Sequence, residues 1–390
     1  MDYIPDNTPN NLKEPYGVKP QGSNNTPLNP NPSPADIYNS TAPYGVPNYH
    51  YGAPQSFFNP QYLEEQKQKM LQRKKHEKKL KALGSSTGVI LLLVLAISFA
   101  FSYTLLIPAI SRLYESNLTF TSAFGIFYSI ISVGGAFFIG SRLLKKSGFS
   151  STVPYAMSKD KTKTLLLILI GFGGCLLANF ITSILIAFAE GFGIYSSYSA
   201  LQYPSSTLDV IMIFIGSAFI PPLIEEFAIR GVLMQSMRKY GNLFAIVASA
   251  IVFGVFHGNA VQMPFAFLCG LVIGYAVIAT ESLWTGIIIH ALMNSMSGVS
   301  SALTYYFDEY TSNTFFYVGS AVGIALGIVA VIIYLTRYKN DKILKDDCCF
   351  KEATLGEKLI KFITSPIMIF AIVLYVIQAA TQLTTTPPTY

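Results

Sequence analysis

A succession of apolar runs, most of them about 18 to 25 residues long, constrains this chain more than any other feature, because that is the length of helix needed to cross a hydrocarbon core of ~30 Å. Runs at 89–110, 119–139, 165–187, 208–229, 243–256, 261–279, 283–303, 315–335 and 362–380 predict an all-α, polytopic helical membrane protein with about nine transmembrane helices. The run at 243–256 is short, and the last is a candidate for half-insertion. Composition agrees with this reading. Of 390 residues, 51% are hydrophobic and 12% charged, whereas soluble globular domains carry about 25% charged residues.

The net charge of +6 invites a nucleic-acid reading. The basic residues argue against it, because they gather in segments flanking the apolar runs, as membrane orientation alone requires. Arg142, Lys145, Lys146, Lys159, Lys161 and Lys163 occupy one linker, Arg238 and Lys239 the next, and Arg337, Lys339, Lys342 and Lys345 a third. The linkers 191–206 and 305–313 hold no Lys or Arg, and the second carries Asp308 and Glu309. The expected topology is therefore N-terminus cytoplasmic and C-terminus outside, in the plasma membrane of a bacterium. The expected partner on these grounds is the lipid bilayer, with no nucleic acid; oligomeric state is left open.

The chain divides by composition into five parts. Residues 1–60 are rich in Pro, Asn, Tyr, Gly and Ser, with Tyr-Gly units at Tyr16, Tyr44 and Tyr51, and are expected to be a disordered tail without a cleavable signal. Residues 61–86 change abruptly to a basic cytoplasmic helix in which Lys67, Lys69, Arg73, Lys74, Lys75, Lys78, Lys79 and Lys81 attract an anionic leaflet. Residues 87–206 are N-terminal transmembrane helices, 207–300 a polar-bearing core and 301–390 C-terminal transmembrane helices. Cys175 and Cys269 lie in apolar runs and Cys348 and Cys349 adjoin in a basic linker. No spacing among the four suggests a zinc site or a disulfide framework, and the expectation is free thiols, with acylation of the adjacent pair the weaker alternative.

Ionisable groups at bilayer depth are costly, which makes them functional candidates by default. They concentrate in one region here: Glu225, Glu226 and Arg230 after Pro221-Pro222, then Phe253 and His257, then His290 and Asn294. Neighbours on a helix diverge by about 100° while residues four apart share a face. Glu226 and Arg230 are thus positioned to pair, which directs Glu225 elsewhere, and His290 and Asn294 are positioned to converge on one ligand atom. The two prolines predict a kink or unwound turn before Glu225, and Gly254 and Gly258 bracket His257 so that backbone or substrate can approach closely. These groups suffice for peptide hydrolysis without a covalent intermediate: Glu225 takes a proton from water, His257 orients that water, and His290 and Asn294 donate to the developing oxyanion.

The series Glu-Glu-x-x-x-Arg, Phe-x-x-x-His and His-x-x-x-Asn, in this order on successive apolar segments across 207–300, resembles the CPBP family of intramembrane glutamic proteases. That family includes CAAX prenyl endopeptidases and Abi-like bacteriocin-processing or immunity proteins. The resemblance implies an intramembrane endopeptidase whose partner is a peptide or membrane-protein substrate, membrane-associated, prenylated or bacteriocin-like. It implies Glu225 and His257 as the water-activating pair, His290 and Asn294 as the oxyanion pair, and Glu226 and Arg230, with Phe253, as support. Nothing is implied for the tail or the last two spans.

Three other readings compete. In the first, the polar residues knit helices together, each hydrogen bond contributing about 1 kcal/mol, which explains one pair more readily than a cluster confined to one region. In the second, Glu225, His257 and His290 ligate zinc; the chain lacks His-Glu-x-x-His, and the metal-free form, with no cofactor, is preferred. In the third, the fold serves immunity, scaffolding or transport without catalysis. The expected spans also raise a difficulty. They place Glu225 within about two turns of the inner surface and His257 near the outer end of its helix, so straight helices would hold the two apart.

Overall fold

A computed structural model describes residues 60–149, 152–196, 203–344 and 348–386; the expected tail, apart from Pro60, lies outside them. Every predicted apolar run is helical. The helices are α1 (Pro60–Leu106), α2 (Pro108–Ser116), α3 (Leu118–Lys146), α4 (Lys161–Gly191), α5 (Thr207–Tyr240), α6 (Asn242–Phe256), α7 (Gln262–Thr280), α8 (Leu283–Tyr306), α9 (Glu309–Arg337), α10 (Leu355–Ile363) and α11 (Pro366–Ala380). Among the described residues seven are long and apolar enough to cross a membrane, or up to eight if α10 and α11 count as one span bent by 79°. The expected nine contract because α6, with 15 residues, is an apolar helix too short to qualify and the last run is broken by that bend, between Ile363 and Pro366. The chain is an integral membrane protein by these helices. The only strands among the described residues are β1 (Tyr195–Ser196) and β2 (Leu383–Thr384), which pair antiparallel.

The basic segment and the first apolar run form one continuous helix, α1, with no Pro or Gly between Pro60 and Gly84 to interrupt it. Part of its charge is met locally by Lys69–Glu65 and part across space, where Arg73 reaches Glu357 (2.6 Å) and Glu77 receives Lys361 (2.8 Å) from α10. A capping box starts α10, Thr354 and Glu357 each accepting from the other's backbone N–H. Buried Lys358 then donates to the Tyr240 carbonyl (2.9 Å) and so fastens α10 to the end of α5. All four cysteines are free thiols.

Two features of α5 set the geometry of the polar region. The expected span ended near Ile229, but the helix continues to Tyr240 and turns at Gly241, whose φ of 117° is a conformation that side chains resist. The prolines produce no break. Instead the backbone widens into π-helical turns over Phe214–Phe219 and again over Phe227–Met234, on either side of Pro221 to Glu226. Proline removes a hydrogen bond to the preceding turn and collides with its carbonyl, and a wider turn absorbs both effects; such turns recur at functional sites.

Candidate active site

The depth difficulty disappears once α5 is followed to Gly241. Glu225 and His257 stand sixteen residues before and after that turn, so at ~1.5 Å per residue both lie roughly 24 Å from it, on antiparallel neighbours. Both line the same two cavities. The larger, about 470 Å³, is also bordered by Ser217, Phe253, Cys269, His290, Met293 and Asn294. The smaller, about 260 Å³, is bordered by Ser98, Tyr128, Ser129, Gln262, Tyr375 and Gln378. All four expected chemical residues therefore reach one space, with Glu225 and His257 at the boundary between its two parts.

The neighbouring glutamates separate as helix geometry requires. Glu226 is fully buried and accepts from Arg230 Nη1 at 2.8 Å. The same oxygen, Oε1, accepts from His290 Nδ1 at 2.9 Å, while Oε2 has no partner. Arg230, equally buried, keeps Nε and Nη2 unpartnered and stacks its guanidinium 4.3 Å from the centre of the Phe253 ring. Gly286 makes room for this cluster, since a Cβ there would lie 2.9 Å from Glu226 Oε2 and 2.6 Å from Val277 Cγ2. Glu225 instead faces the cavities, its Oε2 3.9 Å from His290 Nε2.

The histidines are held by their Nδ1 atoms. His257 Nδ1–H donates to the Phe253 carbonyl at 2.7 Å, so in the neutral ring Nε2 is an acceptor. Its ring meets the edge of Phe253 (centroids 4.8 Å apart), and Phe253 also contacts His290 (5.8 Å). Phe253 thus contacts Arg230 and both imidazoles. His290 Nδ1–H donates to the Glu226 carboxylate, so Nε2 can donate only from the imidazolium. The expected convergence of His290 and Asn294 on one ligand atom is modified accordingly: Asn294 Nδ2 spends one hydrogen on the Ser217 carbonyl (2.8 Å), leaving the other.

The turn carrying His257 is held from outside the core. Gly258 has φ 57°, and a Cβ there would lie 2.9 Å from the Gln378 side chain of α11. Asn259 caps α7 through the Val261 and Gln262 N–H groups and donates to Gln382 (2.7 Å), which reaches back to the Gly258 carbonyl. Gly254 allows α7 to close on α6, a Cβ there falling 2.8 Å from the Met263 carbonyl. Sequence reasoning missed Gln378, Gln382, Tyr128 and Ser98. Ser98, Tyr128 and Gln378 lie within apolar runs and Gln382 in the Thr-rich stretch after the last of them, with no spacing to mark any of the four. Among the described residues no group of three His, Cys, Asp or Glu side chains is disposed to hold a metal ion.

Residues 207–296 match the family model of Rce1-like type II CAAX prenyl endopeptidases. This segment is thus an Rce1-like domain of the CPBP family, a family of membrane proteases, and it contains Glu225, Glu226, Arg230, Phe253, His257, His290 and Asn294. No curated protein and no solved structure matches the chain in the corresponding comparisons.

Proposed function

We propose that the protein is an intramembrane endopeptidase in which Glu225 activates water against a peptide bond of a membrane-associated substrate, prenylated CAAX-type or bacteriocin-like. The observation that carries this reading is the placement of Glu225 and His257 at the junction of two cavities, with His290 and Asn294 on one side. Glu225 removes a proton from water, which donates its other hydrogen toward His257 Nε2. The oxygen adds to the scissile carbonyl carbon. His290 Nε2–H and the remaining Asn294 N–H donate to the resulting oxyanion. When the carbon–nitrogen bond breaks, the proton held by Glu225 passes to the leaving amine, and the carboxylate is restored.

Glu226, Arg230 and Phe253 support this arrangement by fixing His290 and His257 from behind. The reaction is written without a metal, and residues 207–300 are its catalytic core. The basic linkers support a cytoplasmic N-terminus in a bacterial plasma membrane, which reactivity of single introduced cysteines toward an impermeant thiol reagent would check.

The test is cleavage of a diverse peptide library by purified, detergent-solubilised protein, comparing wild type with Glu225→Gln, each with and without a strong chelator. The expected result is cleavage that survives chelation and falls by about 10²- to 10⁴-fold in the variant. Loss on chelation would replace this mechanism with a zinc-dependent one. Equal cleavage by both proteins would remove Glu225 from it, and no cleavage by either would leave scaffolding or immunity.

A further inference from the structure

The walls of the smaller cavity come largely from outside the matched domain. Val94, Leu95 and Ser98 belong to α1, Tyr128, Ser129 and Val133 to α3, and Tyr375 and Gln378 to α11. An extended peptide lying across Glu225 and His257 must place residues on both sides of the scissile bond, at ~3.3 Å per residue. The side toward His290 and Asn294 enters the larger cavity, among Phe253, Phe265, Cys269, Ile273 and Met293. The opposite side enters the smaller one.

The two phenols of that smaller cavity are already paired. Tyr128 Oη donates to Ser98 (2.9 Å), and Tyr375 Oη donates to the Leu91 carbonyl (3.1 Å). Gln378 Oε1, by contrast, is buried with no partner. A buried acceptor left unpaired is a group that a ligand hydrogen bond would complete. Charge narrows the choice of ligand. Among the described residues neither cavity is lined by Lys or Arg, and His290 lines the larger one alone, so an acidic side chain or free carboxylate in the smaller cavity would face Glu225 with no cation lining that cavity. A basic side chain would pair with Glu225 and disable the base.

On the protease reading above, we infer that the smaller cavity is a substrate subsite for an uncharged polar residue bearing an N–H or O–H donor, such as Asn, Gln or Ser, recognised by the Gln378 amide. Selectivity next to the cut then resides in α1, α3 and α11, while the chemistry resides in the matched domain.

The test takes a peptide the wild-type protein cleaves and varies the residue that flanks the cut on each side among Asn, Leu and Asp. On one side, wild type should prefer Asn to Leu and to Asp by about tenfold or more in kcat/KM, and Gln378→Leu should reduce the Asn-to-Leu ratio by about tenfold, the change one hydrogen bond makes. A ratio measured within one preparation does not depend on how much of the variant is folded. The same ratio in both proteins, or a preference for Asp, would overturn the subsite. A second arm uses Glu225→Gln protein and peptides with a photo-crosslinker at that position. Crosslinks to α1 or α11 are expected, and crosslinks confined to the walls of the larger cavity would overturn the inference. Should wild type cleave nothing, which would sink the protease reading alone, the crosslinker moved through each position of the library peptides still reads occupancy of the smaller cavity.

Discussion

The protein holds two clusters of charge that contrast in every respect except composition. At the join of α1 and α10, Arg73, Glu77, Glu357 and Lys361 are partly exposed and link into a chain of ion pairs. Around α5, Glu226 and Arg230 are fully buried and carry three unpartnered polar atoms between them, Glu226 Oε2, Arg230 Nε and Arg230 Nη2. The first cluster satisfies its members in place, and little follows from disturbing it. The second tolerates incomplete pairing at depth, where that is costly, and its neighbour Glu225 opens onto a cavity. Paired charge at a surface contributes little to stability; underpaired charge in a core marks a site whose geometry matters more than its own stability.

Substitution should widen this contrast. Arg230→Leu leaves Glu226 charged, buried and reduced to its contact with His290, and should destabilise the protein by about 3–5 kcal/mol, read as a lowered unfolding temperature in detergent. Adding Glu226→Leu to it should recover much of the loss, because two matched apolar groups replace an isolated charge. If the double variant is no more stable than the single, the pairing does not explain the cluster.

The next largest effect is expected at the turn that carries His257. Asn259→Ala removes the cap of α7 and the bond to Gln382, for about 0.5–2 kcal/mol. Since that turn positions His257, turnover should fall by more than the stability change accounts for. A loss of stability with full turnover would separate the segment after α11, which carries Gln382, from the site. Arg73→Ala should have the smallest effect, with an unfolding temperature indistinguishable from wild type and any shift abolished by high salt.

The two clusters also differed in how far the sequence disclosed them. Residues four apart share a helix face, so the Glu226–Arg230 pair and the outward direction of Glu225 follow from spacing alone. Apolar run length likewise foretold the helices. Three things did not follow. The extent of α5 past Ile229 could not be read, because Arg238 and Lys239 pointed to a membrane surface without showing that the helix continues to it. The π-helical turns that absorb Pro221 and Pro222 have no residue signature. The ion pairs between Arg73 and Glu357, and the latch of Gln382 on Asn259, join residues more than a hundred positions apart, and pairings at such separation depend on how helices assemble rather than on any local pattern.

A consequence for pH follows from the proton positions. The proposed mechanism requires Glu225 ionised and His290 charged, so the rate of peptide cleavage should pass through a maximum and fall on both sides. A rate that keeps rising into alkali would show that His290 does not act as a charged donor.

The central claim is that adjacent glutamates divide the work, Glu225 reacting and Glu226 holding. Side-by-side measurement of cleavage rate and unfolding temperature for Glu225→Gln and Glu226→Gln tests it most directly. The account predicts that Glu225→Gln keeps the wild-type unfolding temperature and loses cleavage, while Glu226→Gln unfolds at a lower temperature because Arg230 is left buried without a counter-charge. Cleavage retained by Glu225→Gln, or equal destabilisation by both substitutions, would contradict it.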